Sequence, residues 1–173
     1  MRARELGVSI GRGSTGTSNA ITDVDGVRVG HATLIEGDGP LVVGSGPVRT
    51  GVTVIVPCEE VGEAPVFAGS HRLNGNGEMT GLAWVRESGM LTTPVGLTNT
   101  HSVGVVRDAL VGADAERHGP ATSYWSLPVV AETWDACSTT SAACTCRPST
   151  RIRHSTPRRE VRSPRATSVE APA

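Results

Sequence analysis

The sequence predicts an α/β fold over residues 1–135 of its 173. Three observations lead there. Two β-branched runs occupy 27–35 and 51–57, and one segment, 102–117, carries helical spacing. Gly-rich turns separate these segments, and no period of 20–50 residues repeats, which excludes a solenoid or propeller.

Gly11-Arg12-Gly13-Ser14-Thr15-Gly16 fits G-x-G-x-x-G, but Thr17-Ser18-Asn19-Ala20 opens no amphipathic helix behind it. Without a helix dipole to hold a pyrophosphate, the stretch reads as a flexible loop. Val27 to Ile35 follows an Asp25-Gly26 turn signal and is β-branched and partly alternating, so it reads as a strand. Residues 36–50, rich in Gly, Pro and Ser, read as an exposed loop. Gly51–Pro57 is a second strand, and its near-continuous apolar run predicts burial on both faces.

Asn74-Gly75-Asn76-Gly77 predicts a tight backbone turn. Residues 78–88 fit a short helix or a strand equally well. Val95–Asn99 reads as a short strand. From Ser102 to Arg117, Val103, Val106, Leu110 and Ala113 recur on one helical face. Thr100 or Ser102 is placed to cap that helix, with Arg117 and His118 near its C-terminal dipole. Leu127–Ala131 is a last apolar strand, leading into Glu132-Thr133-Trp134-Asp135.

All 16 basic residues are Arg, set against 17 acidic ones for a net charge of −1. That balance argues against binding nucleic acid or an anionic membrane through bulk charge. No apolar run is long enough to span a bilayer, and no apolar core follows Arg2 and Arg4 to make a secretory signal. A cytoplasmic location is therefore expected. With four Cys, at 58, 137, 144 and 146, a disulfide scaffold is not.

Composition breaks near residue 135. All 21 Gly lie in 1–135, where nine Arg face 15 acidic groups; in 136–173 seven Arg face two. The later segment holds only Ile152, Val161 and Val169 as large aliphatics among Ser, Thr, Arg, Ala and Pro. Such a chain buries too little apolar surface to offset its ordering entropy, so 136–173 is expected to be a disordered tail.

Metal and hydrolase patterns are weak. His31, His71, His101 and His118 sit singly, and Cys144 and Cys146 have no partner pair, so no metal site is expected. Gly44-Ser45-Gly46 lacks the G-x-S-x-G elbow. The segment from Leu73 to His101 is richer. Its amides, hydroxyls and turn glycines can bring dipoles close to a ligand, and with Glu132 they could line a polar pocket.

Five blocks together carry a resemblance. They are Asn19–His31, Val48–Thr53, the Asn74–Gly81 run Asn-Gly-Asn-Gly-Glu-Met-Thr-Gly, Leu97–Val105, and Leu127–Asp135. In this order they resemble the P1 family of aminopeptidases, which includes the L-aminopeptidase/D-esterase and the β-peptidyl aminopeptidases. The resemblance implies an αββα sandwich like that of N-terminal-nucleophile hydrolases, of which 1–135 is the N-terminal portion. It implies a chain about twice this length that cleaves itself at a Gly–Ser or Gly–Thr bond, freeing a nucleophile whose own amine acts as base. The implied substrate is a short peptide, amino-acid amide or ester; no cofactor is expected, and full-length members are expected to be homo-oligomers.

By that resemblance Glu132 meets the substrate ammonium, with Asn99 and Trp134 as further pocket residues. The position of Trp134 is often Tyr, whose hydroxyl helps at the oxyanion; Trp offers an indole N–H in its place. After Asp135 the family pattern stops: no Gly follows, hence no Gly–Ser or Gly–Thr bond, and no catalytic nucleophile is expected in the tail. Two origins fit the tail, a reading-frame shift near codon 136 in GC-rich DNA or a genuine disordered ending. The first makes the chain a hydrolase portion inactive alone; the second favours a non-catalytic binding or assembly module.

Overall fold

The computed structural model describes residues 3–42, 45–120, 125–135 and 153–154. Its centre is a five-stranded sheet. In chain order the strands are β1 (Arg28–Glu36), β2 (Val48–Val56), β3 (Val66–Phe67), β4 (Met90–Leu91), β5 (Val95–Asn99), β6 (Val129–Thr133) and β7 (Arg153–His154). The helices are α1 (Leu82–Ser88) and α2 (Val103–His118). The main sheet runs β6-β5-β2-β1-β7, and β3 pairs with β4 in a small ribbon.

β1 and β2 form a long antiparallel pair from Arg28↔Val56 to Glu36↔Val48. β2 therefore begins three residues before the expected start, drawing Val48, Arg49 and Thr50 out of the presumed loop. The Arg49 guanidinium explains the extension, since it donates to the carbonyls of Glu36 (2.9 Å) and Gly37 (2.6 Å) across the pair. β5 lies antiparallel to β2, whereas β6 lies parallel to β5. A parallel neighbour needs a crossover, and α2 supplies it.

α2 covers one face of the sheet. Val103 and Val106 pack on Val52, Val54 and Val130, with Val56 and Leu110 at the margin. Gly96 lets the layers meet: a Cβ there would lie 3.0 Å from Val106 Cγ1 and 3.2 Å from Val130 Cγ2. The expectation that β2 is buried on both faces is corrected here. Val52 and Val54 are buried, but Thr53 and Ile55 on the other face are only half-buried, because no second layer covers them among the described residues. An unbroken apolar run marks apolar side chains, not a cover on both sides.

The α2 cap also differs from expectation. Ser102 makes no capping hydrogen bond; a 3-10 turn, Thr100–Ser102, leads into the helix. Near the N-terminus, Asp23 closes a loop by accepting the main-chain N–H groups of Ser18 (3.0 Å) and Ala20 (3.1 Å). These donors, that of Ala20 foremost, hold its carboxyl below the usual aspartate range. Of segment 136–173, whose expected disorder otherwise lies outside the described residues, Arg153 and His154 pair with His31 and Gly30.

Candidate active site

The carboxyl ends of β5 and β6 lie side by side, and the chain leaves β5 through the 3-10 turn into α2. In parallel α/β units this end of the sheet is where ligands meet helix N-termini and loop dipoles. Four residues close it: Thr98 pairs with Glu132, and Asn99 with Thr133. Asn99 is only 4% exposed and donates its amide to Thr50 Oγ1 at 2.9 Å. Thr98 donates to the Gly51 carbonyl (3.1 Å), and Thr133 to that of Thr98 (3.1 Å). The β2, β5 and β6 ends are thus tied by side chains as well as by the ladder.

The second wall comes from the Asn-Gly run. Asn74 Oδ1 accepts the N–H of Asn76 at 2.9 Å, forming the tight turn the sequence predicts. Beyond it, Glu78-Met79-Thr80 runs antiparallel along the free edge of β6. The Glu78 carbonyl accepts from the Glu132 N–H (3.1 Å), the Thr80 N–H donates to Val130 (3.0 Å), and Met79 bridges Ala131. The undecided segment 78–88 therefore does both things: it is extended to Thr80, turns at Gly81 and becomes α1. This brings Gly77 over Glu132, whose Oε1 lies 3.4 Å from the point a Cβ on Gly77 would occupy.

Alternation along paired strands sends Glu132 and Asn99 to opposite faces of the sheet. Glu132 shares the face of Val130 and α2, at the polar end of that layer. Asn99 shares the face of Thr133, next to a groove of about 280 Å³ lined by His31, Thr33, Thr53, Leu97 and Thr133 among others. In that groove His31 Nδ1 and Thr53 Oγ1 stand 2.9 Å apart. Trp134, one residue past β6, is 70% exposed. Thus all three sequence-chosen residues gather at one end of the sheet, but as an acidic position on one face and an amide on the other. Sequence reading missed Thr50, Thr80, Thr98 and Thr133, whose partners lie 35 to 50 residues away. Their signal in the sequence was membership of the blocks that carry the resemblance: Thr50 in Val48–Thr53, Thr80 in Asn74–Gly81, Thr98 in Leu97–Val105 and Thr133 in Leu127–Asp135.

No group of three or more His, Cys, Asp or Glu is placed to hold a metal ion among the described residues. No helix there is long and apolar enough to cross a membrane.

The profile of Peptidase family S58 matches residues 19–158. The chain belongs to this peptidase family. The match runs from the Asn19 block through the site and past the composition break at 135. The chain is 53% identical over 134 residues to the beta-peptidyl aminopeptidase BapA of Sphingosinicella microcystinivorans, covering 78% of this chain and 33% of the relative. It therefore spans about a third of the length of that protein.

Among solved structures, a beta-aminopeptidase of Burkholderia sp. superposes with a TM-score of 0.67 at 55% identity, over 79% of this chain and 37% of the other. The L-aminopeptidase D-Ala-esterase/amidase of Ochrobactrum anthropi, described as a variant of the Ntn hydrolase fold, gives 0.66 at 44% identity, over 78% and 38%. The S58 chain is thus an α/β portion of the Ntn hydrolase fold, as the five-block resemblance implies.

Proposed function

We propose that this chain carries the amine-recognising portion of an aminopeptidase that releases N-terminal residues from short peptides, amides or esters. The observation that carries the reading is Glu132. It is a carboxylate at the carboxyl end of a parallel strand pair, its own N–H fixed by Glu78, with a glycine in place of any side chain above it. A primary ammonium placed there would gain a charge-assisted hydrogen bond, while Trp134, exposed two residues further along, stands at the same sheet end to meet the rest of a substrate. The relatives named above act as aminopeptidases, which supports the assignment of substrate class.

Hydrolysis itself needs a nucleophile. Family chemistry takes it from self-cleavage at a Gly–Ser or Gly–Thr bond, and residues 136–173 contain no Gly. We read 1–135 as the aminopeptidase portion and 136–173 as out-of-frame sequence. Codons can be chosen for Ala136–Arg147 so that one extra G ahead of them reads Gly-Leu-Leu-Asn-Asp-Ile-Ser-Gly-Met-His-Val-Pro. The shifted reading restores the Gly and Leu that residues 136–173 lack. The 173-residue chain alone is accordingly expected to release no anilide from aminoacyl anilides.

The test is a titration of the chain with L-alaninamide and with neutral propionamide, followed by NMR shifts. The amine should bind more tightly, and Glu132→Gln should weaken it roughly ten- to hundredfold, the worth of one hydrogen bond to a charged group. Equal binding of the two ligands, or no effect of Glu132→Gln, would overturn amine recognition. Steady turnover by the isolated chain, or DNA that excludes the shifted frame, would overturn the account of the tail.

A further inference from the structure

The reading of Glu132 as the amine site leaves open what fixes its position, and the inference below rests on that reading. Glu132 is near the end of β6, an edge strand of the main sheet, where a carboxylate would ordinarily be free to move. β5 flanks β6 on one side; on the other, among the described residues, its lateral support is the Glu78–Thr80 segment. That segment is too short to hold itself in place: two main-chain bonds tie it to β6, at Glu132 N–H to Glu78 and Thr80 N–H to Val130. The Thr80 hydroxyl completes the attachment. It donates to the Pro128 carbonyl at 2.7 Å and accepts from the Val130 N–H at 2.9 Å, entering the β6 backbone at its start. One small side chain thus satisfies a donor and an acceptor of the edge strand at once, and does so 48 and 50 residues away in sequence.

We propose that Thr80 is a positioning residue for Glu132: it staples the Asn74–Gly77 turn to β6, so that Gly77 roofs the carboxylate at a fixed height that admits a primary ammonium. The geometry at Gly77 sets the height. A methyl group there would stand 3.4 Å from Glu132 Oε1, ordinary contact distance, and would fill the space a bound N–H needs. Gly77 is not among the glycines with positive φ, so a side chain at this position is limited by the ligand space and not by the backbone. The site therefore selects against crowding on the ammonium nitrogen through the roof, and Thr80 keeps the roof in register.

The experiment uses the 173-residue chain, with L-alaninamide and propionamide as probes and thermal melting as a check on folding. In the wild type the ammonium ligand is favoured over the neutral one. Thr80→Val should shrink that preference at least tenfold, and Thr80→Ser, which keeps the hydroxyl, should restore it. A merely structural role would weaken both ligands alike and leave the preference intact. Gly77→Ala leaves the staple untouched and should lower L-alaninamide affinity severalfold at an unchanged melting midpoint, which keeps the idea testable if Thr80→Val fails to fold.

If the wild type shows no preference, the amine reading of Glu132 falls and this inference with it. If the wild type shows the preference and Glu132→Gln abolishes it, while Gly77→Ala and a folded Thr80→Val retain it, only the positioning role is overturned.

Discussion

At Gly81 the backbone turns with φ +72°, and a Cβ there would come 2.8 Å from the Leu127 carbonyl oxygen and 3.0 Å from that of Pro128. Two separate demands meet at this residue. The left-handed conformation disfavours any L side chain, and the neighbouring strand leaves no room for one. Gly81→Ala should therefore destabilise the chain by at least about 2 kcal/mol, well above the usual cost of a surface substitution. A thermal melt would show a midpoint lowered by several degrees, and an unchanged midpoint would contradict the packing described. Gly96 works differently: its limit is the van der Waals approach of Val106 and Val130, with no unusual φ behind it. Both glycines sit beside β6, so the strand that carries Glu132 is closely fitted by its neighbours.

Among the elements, the β5–α2–β6 unit does most to build the site. α2 contributes Val103 and Val106 to a small valine core with Val52, Val54 and Val130. Because so few side chains make that core, removing any one of them matters. Val106→Ala should cost roughly 1.5–3 kcal/mol from lost burial and the cavity left behind, read as a lower denaturant midpoint at an unchanged slope.

This unit was also the most legible in the sequence. Val95–Asn99 matches β5 residue for residue, and the Val103, Val106 and Leu110 spacing is the face that packs. Local periodicity reports such elements because the cause of burial lies within three or four residues. Ser102 shows the opposite case: its type fits a cap, but the strand end and 3-10 turn before it set a different geometry. Thr80 shows it again at the site. Nothing near it in sequence tells that its hydroxyl will meet Pro128 and Val130, since that contact exists only once β6 has paired with β5. Glu132 was reachable through the family resemblance, whereas its separation from Asn99 by one strand residue, and so by one sheet face, needed the register.

At the scale of the whole sheet, one face is covered and, among the described residues, the other is not. The covered face carries α2; the opposite face presents the groove around His31, Thr53 and Leu97, with Ile35 66% exposed on the same strand as His31. Phe67, on the small β3–β4 ribbon, is 94% exposed. Apolar surface laid open in this way favours association between copies or with another chain. The 173-residue chain should therefore sediment as a concentration-dependent mixture and bind an apolar dye such as ANS. A strictly monomeric, dye-free species across a wide concentration range would show that this face is satisfied some other way. The negative net charge of residues 1–135 opposes such association only weakly at physiological salt, where screening limits repulsion to about 8 Å.

The long reach of the Thr80 staple also sets an order of events during synthesis. The β1–β2 pair joins segments close in sequence and can form as soon as residue 56 is available. The Asn-Gly turn is made early as well, yet its anchor on Pro128 and Val130 is translated about fifty residues later. Until β6 emerges, the turn has nothing to hold it and Glu132 does not yet exist. A nascent chain halted at residue 120 would lack the strand that carries Glu132, and with it the proposed amine site. The site is the last thing this portion of the protein acquires, and it arrives in one step with a single strand.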